Sequence, residues 1–159
     1  MTITRRKTLL YAGASVALLS LGGASAAERF EITRSAAEWR RLLSADEYAV
    51  LRDEATEKRY TSPLVEEKRA GLYHCKGCDL AVYSSEHKYD SGTGWPSFWQ
   101  ALPQAVGTKQ DNSFFSTRTE VHCLRCGGHF GHIFDDGPAP TGERHCLNGL
   151  ALTFKPQEA

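Results

Sequence analysis

Apolar residues recur at helical spacing near the start of the globular part of the chain. Ser35-Ala36-Ala37-Glu38 is a capping-box pattern, and Trp39, Leu42 and Leu43 follow it at helical spacing. Ser44-Ala45-Asp46-Glu47 repeats the pattern ahead of Tyr48, Val50 and Leu51. Two short helices are therefore predicted, packed on the outside of the domain. Thr61-Ser62-Pro63 breaks the pattern. From Gly71 the chain turns to short strand-like runs: Leu72–His74, Leu80–Tyr83, Ala105–Thr108, Phe114–Thr117, Thr119–His122 and His129–Phe134. Glycine, proline and aspartate turns separate them. The last stretch, Arg144–Phe154, is apolar from Leu150 onward and ends in an aromatic, and is predicted to be the strand around which the domain is organised. Many short strands with glycine turns predict a mainly β, antiparallel fold with small N-terminal helices.

A length of 159 residues fits one domain with its own core. The formal net charge is zero and the signs are interspersed, which argues against nucleic acid or an anionic membrane as partner, since either needs a basic patch. The first residues read differently from the rest. A basic start with Arg5-Arg6-Lys7 leads into small apolar residues from Tyr11 to Gly22 and then Ala24-Ser25-Ala26, an A-x-A-like cleavage site. The apolar run is shorter than the ~20 residues a membrane-spanning helix needs. Residues 1–27 are thus expected to be a cleaved export signal, with the twin arginine resembling a Tat-type signal that exports folded proteins. Residues 28–159 would then be a periplasmic domain without membrane insertion, and nothing in it calls for more than a monomer.

Four of the five cysteines form two pairs, Cys75-x-x-Cys78 and Cys123-x-x-Cys126, each between strand-like runs. A strand–knuckle–strand turn aims two thiolates at one point, and two such knuckles complete a tetrahedral sulfur site for one structural zinc. Oxidation to disulfides is the alternative for an exported protein. Loading of the metal before folded export favours zinc.

Cys146 stands outside these pairs. On a strand, Arg144, Cys146 and Asn148 would share a face. A guanidinium two residues away favours the thiolate, the nucleophilic form. His129, His132 and Asp136 precede this strand, an inventory suited to proton transfer.

Together Gly94-Trp95-Pro96-Ser97-Phe98, Gly131-His132-Ile133-Phe134, Asp136-Gly137-Pro138, Pro140-Thr141-Gly142 and Arg144-His145-Cys146-Leu147-Asn148 resemble the methionine-R-sulfoxide reductases of B type, in their zinc-containing branch. The resemblance runs from about Ser35 to Phe154. It implies two antiparallel β-sheets with small flanking helices, and reduction of methionine-R-sulfoxide in proteins or peptides. By the same resemblance Cys146 is the nucleophile and His129 and His132 are the active-site histidines. Asp136, Arg144 and Asn148 organise the polar side, while Trp95, with Phe98, receives the substrate methyl group. Many members carry a resolving cysteine where this chain has Thr93, which implies regeneration by an external thiol, thioredoxin-like or small. Gly149 and His145 also depart from the family, where serine and an aromatic are common. A non-catalytic zinc-ribbon binding module and a thiol–disulfide oxidoreductase are the competing readings, and the β-rich setting of the Cys-x-x-Cys pairs disfavours the second.

Overall fold

A computed structural model describes residues 29–113 and 117–158. The expected export signal, residues 1–27, and positions 114–116 of the run Phe114–Thr117 lie outside the described residues. Helices α1 (Ala36–Leu42) and α2 (Ala45–Asp53) start where the capping boxes predict. The Ser35 and Ser44 hydroxyls accept from the Glu38 and Glu47 amides, and each glutamate carboxylate takes the amide of its serine at 2.8 and 2.9 Å. Trp39, Leu43, Tyr48, Val50 and Leu51 are buried, whereas Leu42 turns to solvent. The helices cover the cysteine knuckles. Arg52 Nη1 donates to the Cys126 carbonyl at 3.0 Å, and Leu51 fills the space a side chain at Gly128 would need. No helix among the described residues is long and apolar enough to cross a membrane.

The strands are β1 (Gly71–Cys75), β2 (Ala81–Ser84), β3 (Lys88–Tyr89), β4 (Ser97–Phe98), β5 (Val106–Asp111), β6 (Arg118–Cys123), β7 (His129–Phe134), β8 (Arg144–Leu147) and β9 (Leu152–Pro156). They form two antiparallel sheets, ordered β2-β1-β9 and β3-β4-β8-β7-β6-β5, so the expected mainly β architecture holds. Tyr73, Tyr83 and Phe98 join the sheets through the core. Phe98 lies 4.9 Å from the Tyr73 ring and 4.6 Å from the Tyr83 ring, centroid to centroid, in the tilted and edge-on geometries that aromatic pairs favour.

One expectation is corrected here. Arg144–Phe154 is not a single strand: β8 ends at Leu147, a 3-10 turn covers Gly149–Ala151, and β9 continues in the other sheet. The cause is tertiary. Asn148 donates to the Phe130 carbonyl from both its backbone and its side-chain nitrogen, at 2.8 and 2.9 Å. Its Oδ1 accepts the Glu57 amide at 2.8 Å, and the buried Glu57 carboxylate takes the Leu150 amide at 3.2 Å. These bonds turn the chain from one sheet into the other. The strand alternation expected of Arg144, Cys146 and Asn148 therefore stops before Asn148.

Candidate active site

Because directly opposed residues of antiparallel strands share a face, the register of the larger sheet lines up a row of side chains. Tyr89 faces Ser97, Ser97 faces Cys146, Cys146 faces His132, His132 faces Glu120 and Glu120 faces Lys109. Cys146 is half-buried at the middle of this row. Close approach of β7 to β8 requires Gly131, whose φ is +155° and where any Cβ would strike the Cys146 carbonyl oxygen.

Arg144 shares the Cys146 face two residues away. Its guanidinium lies 4.3 Å above the Phe134 ring and donates to both Asp136 oxygens, Nε at 2.8 Å and Nη2 at 2.9 Å. Hydrogen bonding to Arg144 holds the Asp136 carboxyl below its ordinary range. Asp136 thus orients Arg144 by a two-point contact.

Both histidines have carboxylate partners that inspection of the sequence did not single out. Glu120 accepts from His129 Nδ1 at 2.9 Å in a buried pair, and Lys109 Nζ lies 2.8 Å from its other oxygen. Burial works to raise the Glu120 carboxyl, but the bonds from His129 and Lys109 leave it below the usual value. His132 Nε2 donates to Asp111 Oδ2 at 2.8 Å. Burial nonetheless holds the His132 imidazole below its ordinary value, the Asp111 carboxylate opposing it. The two rings meet edge to face, 5.5 Å between centroids. Tyr89 closes the other end of the row with a buried hydroxyl that has no hydrogen-bond partner.

On the loop side, Trp95 is half-buried and its Nε1 donates to the Glu57 carbonyl at 2.9 Å. Glu57 therefore ties Trp95 to Asn148, and only its burial, invisible from sequence, marks it. Phe98 is a correction. It pairs with His145 on the opposite face of β4 and β8 and is fully buried between Tyr73 and Tyr83, so strand alternation turns it away from Cys146. His145 takes the place of a core aromatic because Tyr83 Oη, at 2.9 Å, and Glu143 Oε2, at 3.2 Å, satisfy its ring nitrogens.

A second correction concerns the thiol itself. Burial holds the Cys146 thiol above its ordinary value, while a hydrogen bond from Thr93 and the Arg144 charge work the other way. Arg144 thus moderates an elevated pKa and does not produce a resting thiolate.

The remaining cysteines form a separate centre. Cys75, Cys78, Cys123 and Cys126 bring their sulfurs within 4.8 Å of one another, with Cys75–Cys126 at 3.7 Å and Cys78–Cys123 at 3.5 Å. A tetrahedral zinc with bonds of about 2.3 Å sets its sulfurs about 3.8 Å apart. The donor set fits a closed four-sulfur metal site, and none of the pairs is at disulfide distance.

The family model for the SelR domain matches residues 43–156, which take in the whole row and both knuckles. The chain belongs to the SelR-domain family. Peptide methionine sulfoxide reductase MsrB of Methanosarcina barkeri is 44% identical over 128 residues, covering 80% of this chain and 90% of that protein. The proteins of the same name from Leifsonia xyli and Pseudomonas putida are each 45% identical, over 131 and 129 residues. These cover 81% and 80% of this chain, and 94% and 97% of theirs.

The elevated thiol of this SelR-domain protein predicts its reactivity. Alkylation of Cys146, followed by peptide mapping so that the clustered cysteines are read separately, should rise with pH to a midpoint above that of a free cysteine, about 8.5. Arg144→Met should move the midpoint further up. A neutral or acidic midpoint in the wild type would contradict the burial argument.

Proposed function

We propose that this chain is a peptide-methionine (R)-S-oxide reductase in which Cys146 attacks the sulfoxide sulfur. The observation that carries the reading is the separation of the cysteines. One half-buried thiol lies in a row with His132 and beside Arg144, while the other four converge on a centre of their own. In the overall step the methionine S–O bond breaks, a Cys146 Sγ–O bond forms, and the thiol proton ends on the transferred oxygen. Methionine is reduced by two electrons and Cys146 is oxidised to a sulfenic acid. His132, the direct cross-strand neighbour of Cys146, is placed to protonate the departing oxygen, with His129 packed against it. Asp111 and Glu120 hold the two rings. Arg144, oriented by Asp136, lines the polar side, and Trp95, fixed by the Glu57–Asn148 linkage, supplies the apolar wall for the S-methyl group.

Two equivalents of an external thiol then return Cys146 to the thiol, giving a disulfide and water. Thr93 occupies the loop position facing Cys146, and no cysteine is near enough to replace that reductant. The substrate class is oxidised protein or peptide, and the reductant thioredoxin-like or a small thiol. The basic, apolar and Ala-Ser-Ala segments at the N-terminus support cleavage and export, Tat-type by its twin arginine, to the periplasm.

The decisive experiment supplies dithiothreitol and peptides carrying separated R and S methionine sulfoxide to wild type and Cys146→Ser in parallel. The expected result is loss of the R epimer alone, abolished in the mutant. Wild-type protein inert toward both epimers would return the chain to a non-catalytic binding module.

The four-sulfur centre is proposed to hold one structural Zn2+, which would tie the β1–β2 turn to the β6–β7 turn. Metal analysis should find about one zinc per chain, and Cys123→Ala should lose it together with several kcal/mol of stability in urea unfolding. Well under one zinc, with these cysteines recovered as disulfides, would contradict the assignment.

A further inference from the structure

The loop of residues 91–94 carries a hydroxyl chain that ends on the reactive sulfur. Thr93 Oγ1 lies 3.9 Å from Cys146 Sγ, Ser91 Oγ 2.8 Å from Thr93 Oγ1, and Ser97 Oγ 2.7 Å from Ser91 Oγ. At its far end Ser97 donates to the Trp95 carbonyl over a longer 3.2 Å. Ser97 is almost fully buried and is the direct cross-strand neighbour of Cys146. The loop itself is clamped. Tyr60 donates from its hydroxyl to the Gly92 carbonyl and from its amide to the Gly94 carbonyl, both at 2.7 Å, and Asp90 accepts the Gly92 amide at 2.9 Å. Thr93 is therefore held at the sulfur by bonds on both sides of it.

Each hydroxyl has one proton to donate, so the chain has only two consistent directions. With Cys146 as a thiol, S–H donates to Thr93, Thr93 to Ser91, Ser91 to Ser97, and Ser97 to the Trp95 carbonyl. A thiolate has no proton to give. The direction then reverses: Ser97 donates to Ser91, Ser91 to Thr93 and Thr93 to the sulfur, and the long bond to Trp95 is released. Only hydroxyl rotation is needed. No proton travels along the chain, which ends at a carbonyl and not at solvent. Bonds aligned head to tail reinforce one another, so the terminal donor is stronger than an isolated threonine.

We propose that Thr93, backed by Ser91 and Ser97, is the hydrogen-bond donor that stabilises the Cys146 thiolate, so that the loop residue replacing an internal reductant instead activates the nucleophile. The proposal rests on Cys146 being the attacking group and assigns to this loop a function in the attack itself. Thr93 is also the strongest influence opposing the effect of burial on Cys146, ahead of Arg144. Hydrogen bonding to the charged form is the general reason a thiol ionises more readily.

The test compares wild type, Thr93→Val, Thr93→Ser and Ser97→Ala. Valine keeps the shape of threonine and removes the donor at a half-buried loop position, so the fold should survive. Two quantities are read: the pH midpoint of Cys146 alkylation, and the rate of a single turnover on a methionine-R-sulfoxide peptide at neutral pH. Thr93→Val should raise the midpoint by about one pH unit and slow the turnover by about ten-fold, the loss recovering at alkaline pH. Thr93→Ser should restore both, and Ser97→Ala should give a smaller shift of the same sign. A wild-type midpoint in Thr93→Val would overturn the proposal, since a structural role for the loop would leave ionisation unchanged. A shifted midpoint in a protein whose wild type reduces no sulfoxide would instead retire the reductase assignment and leave the hydroxyl chain standing.

Discussion

The structure depends on β8 having a hydrogen-bonded neighbour on each side. A four-residue strand cannot order itself, and β8 is fixed by β7 on one edge and by the two residues of β4 on the other. That double pairing sets the register, and the register alone chooses what Cys146 meets: His132 from β7 and Ser97 from β4. A shift of one residue would turn the thiol into the core and present His145 in its place. Gly131 is part of the same constraint, because β7 reaches this register only where no side chain separates it from the Cys146 carbonyl.

Around that strand the chain assigns different work to chemically identical side chains. Four thiols converge at positions buried beneath Trp39 and Leu51 and join two hairpins that are far apart in sequence. The fifth sits half-buried among polar groups. Two carboxylates, Asp111 and Glu120, hold histidines, and a third, Asp136, holds an arginine. Glu57 has a different task, since it takes backbone amides at the crossover between sheets and fixes both Asn148 and Trp95. The environment of each group, more than its identity, decides its role.

What the sequence made legible was local. Both helix starts follow from serine and glutamate three residues apart, and both knuckles from cysteine spacing, so neither needs knowledge of the fold. The common face of Arg144 and Cys146 also follows from alternation within one strand. Other features depended on partners distant in the chain. Asn148 left the strand because Glu57 and Phe130 capture its amide. Phe98 and Ser97 are adjacent, so one of them had to face away from Cys146, and only the register with β8 decides which. The carboxylates on His129 and His132 come from neighbouring strands, and the elevated Cys146 thiol comes from burial, which no motif encodes.

The central claim is that Cys146 works alone among the cysteines and stops at the sulfenic acid until an external thiol arrives. Intact-mass measurement after one equivalent of methionine-R-sulfoxide peptide, with no reductant present, tests it most directly. The account predicts the gain of one oxygen, mapped to Cys146 and trapped by dimedone, with the four clustered cysteines unmodified. Loss of two hydrogens with Cys146 joined to another cysteine would contradict it.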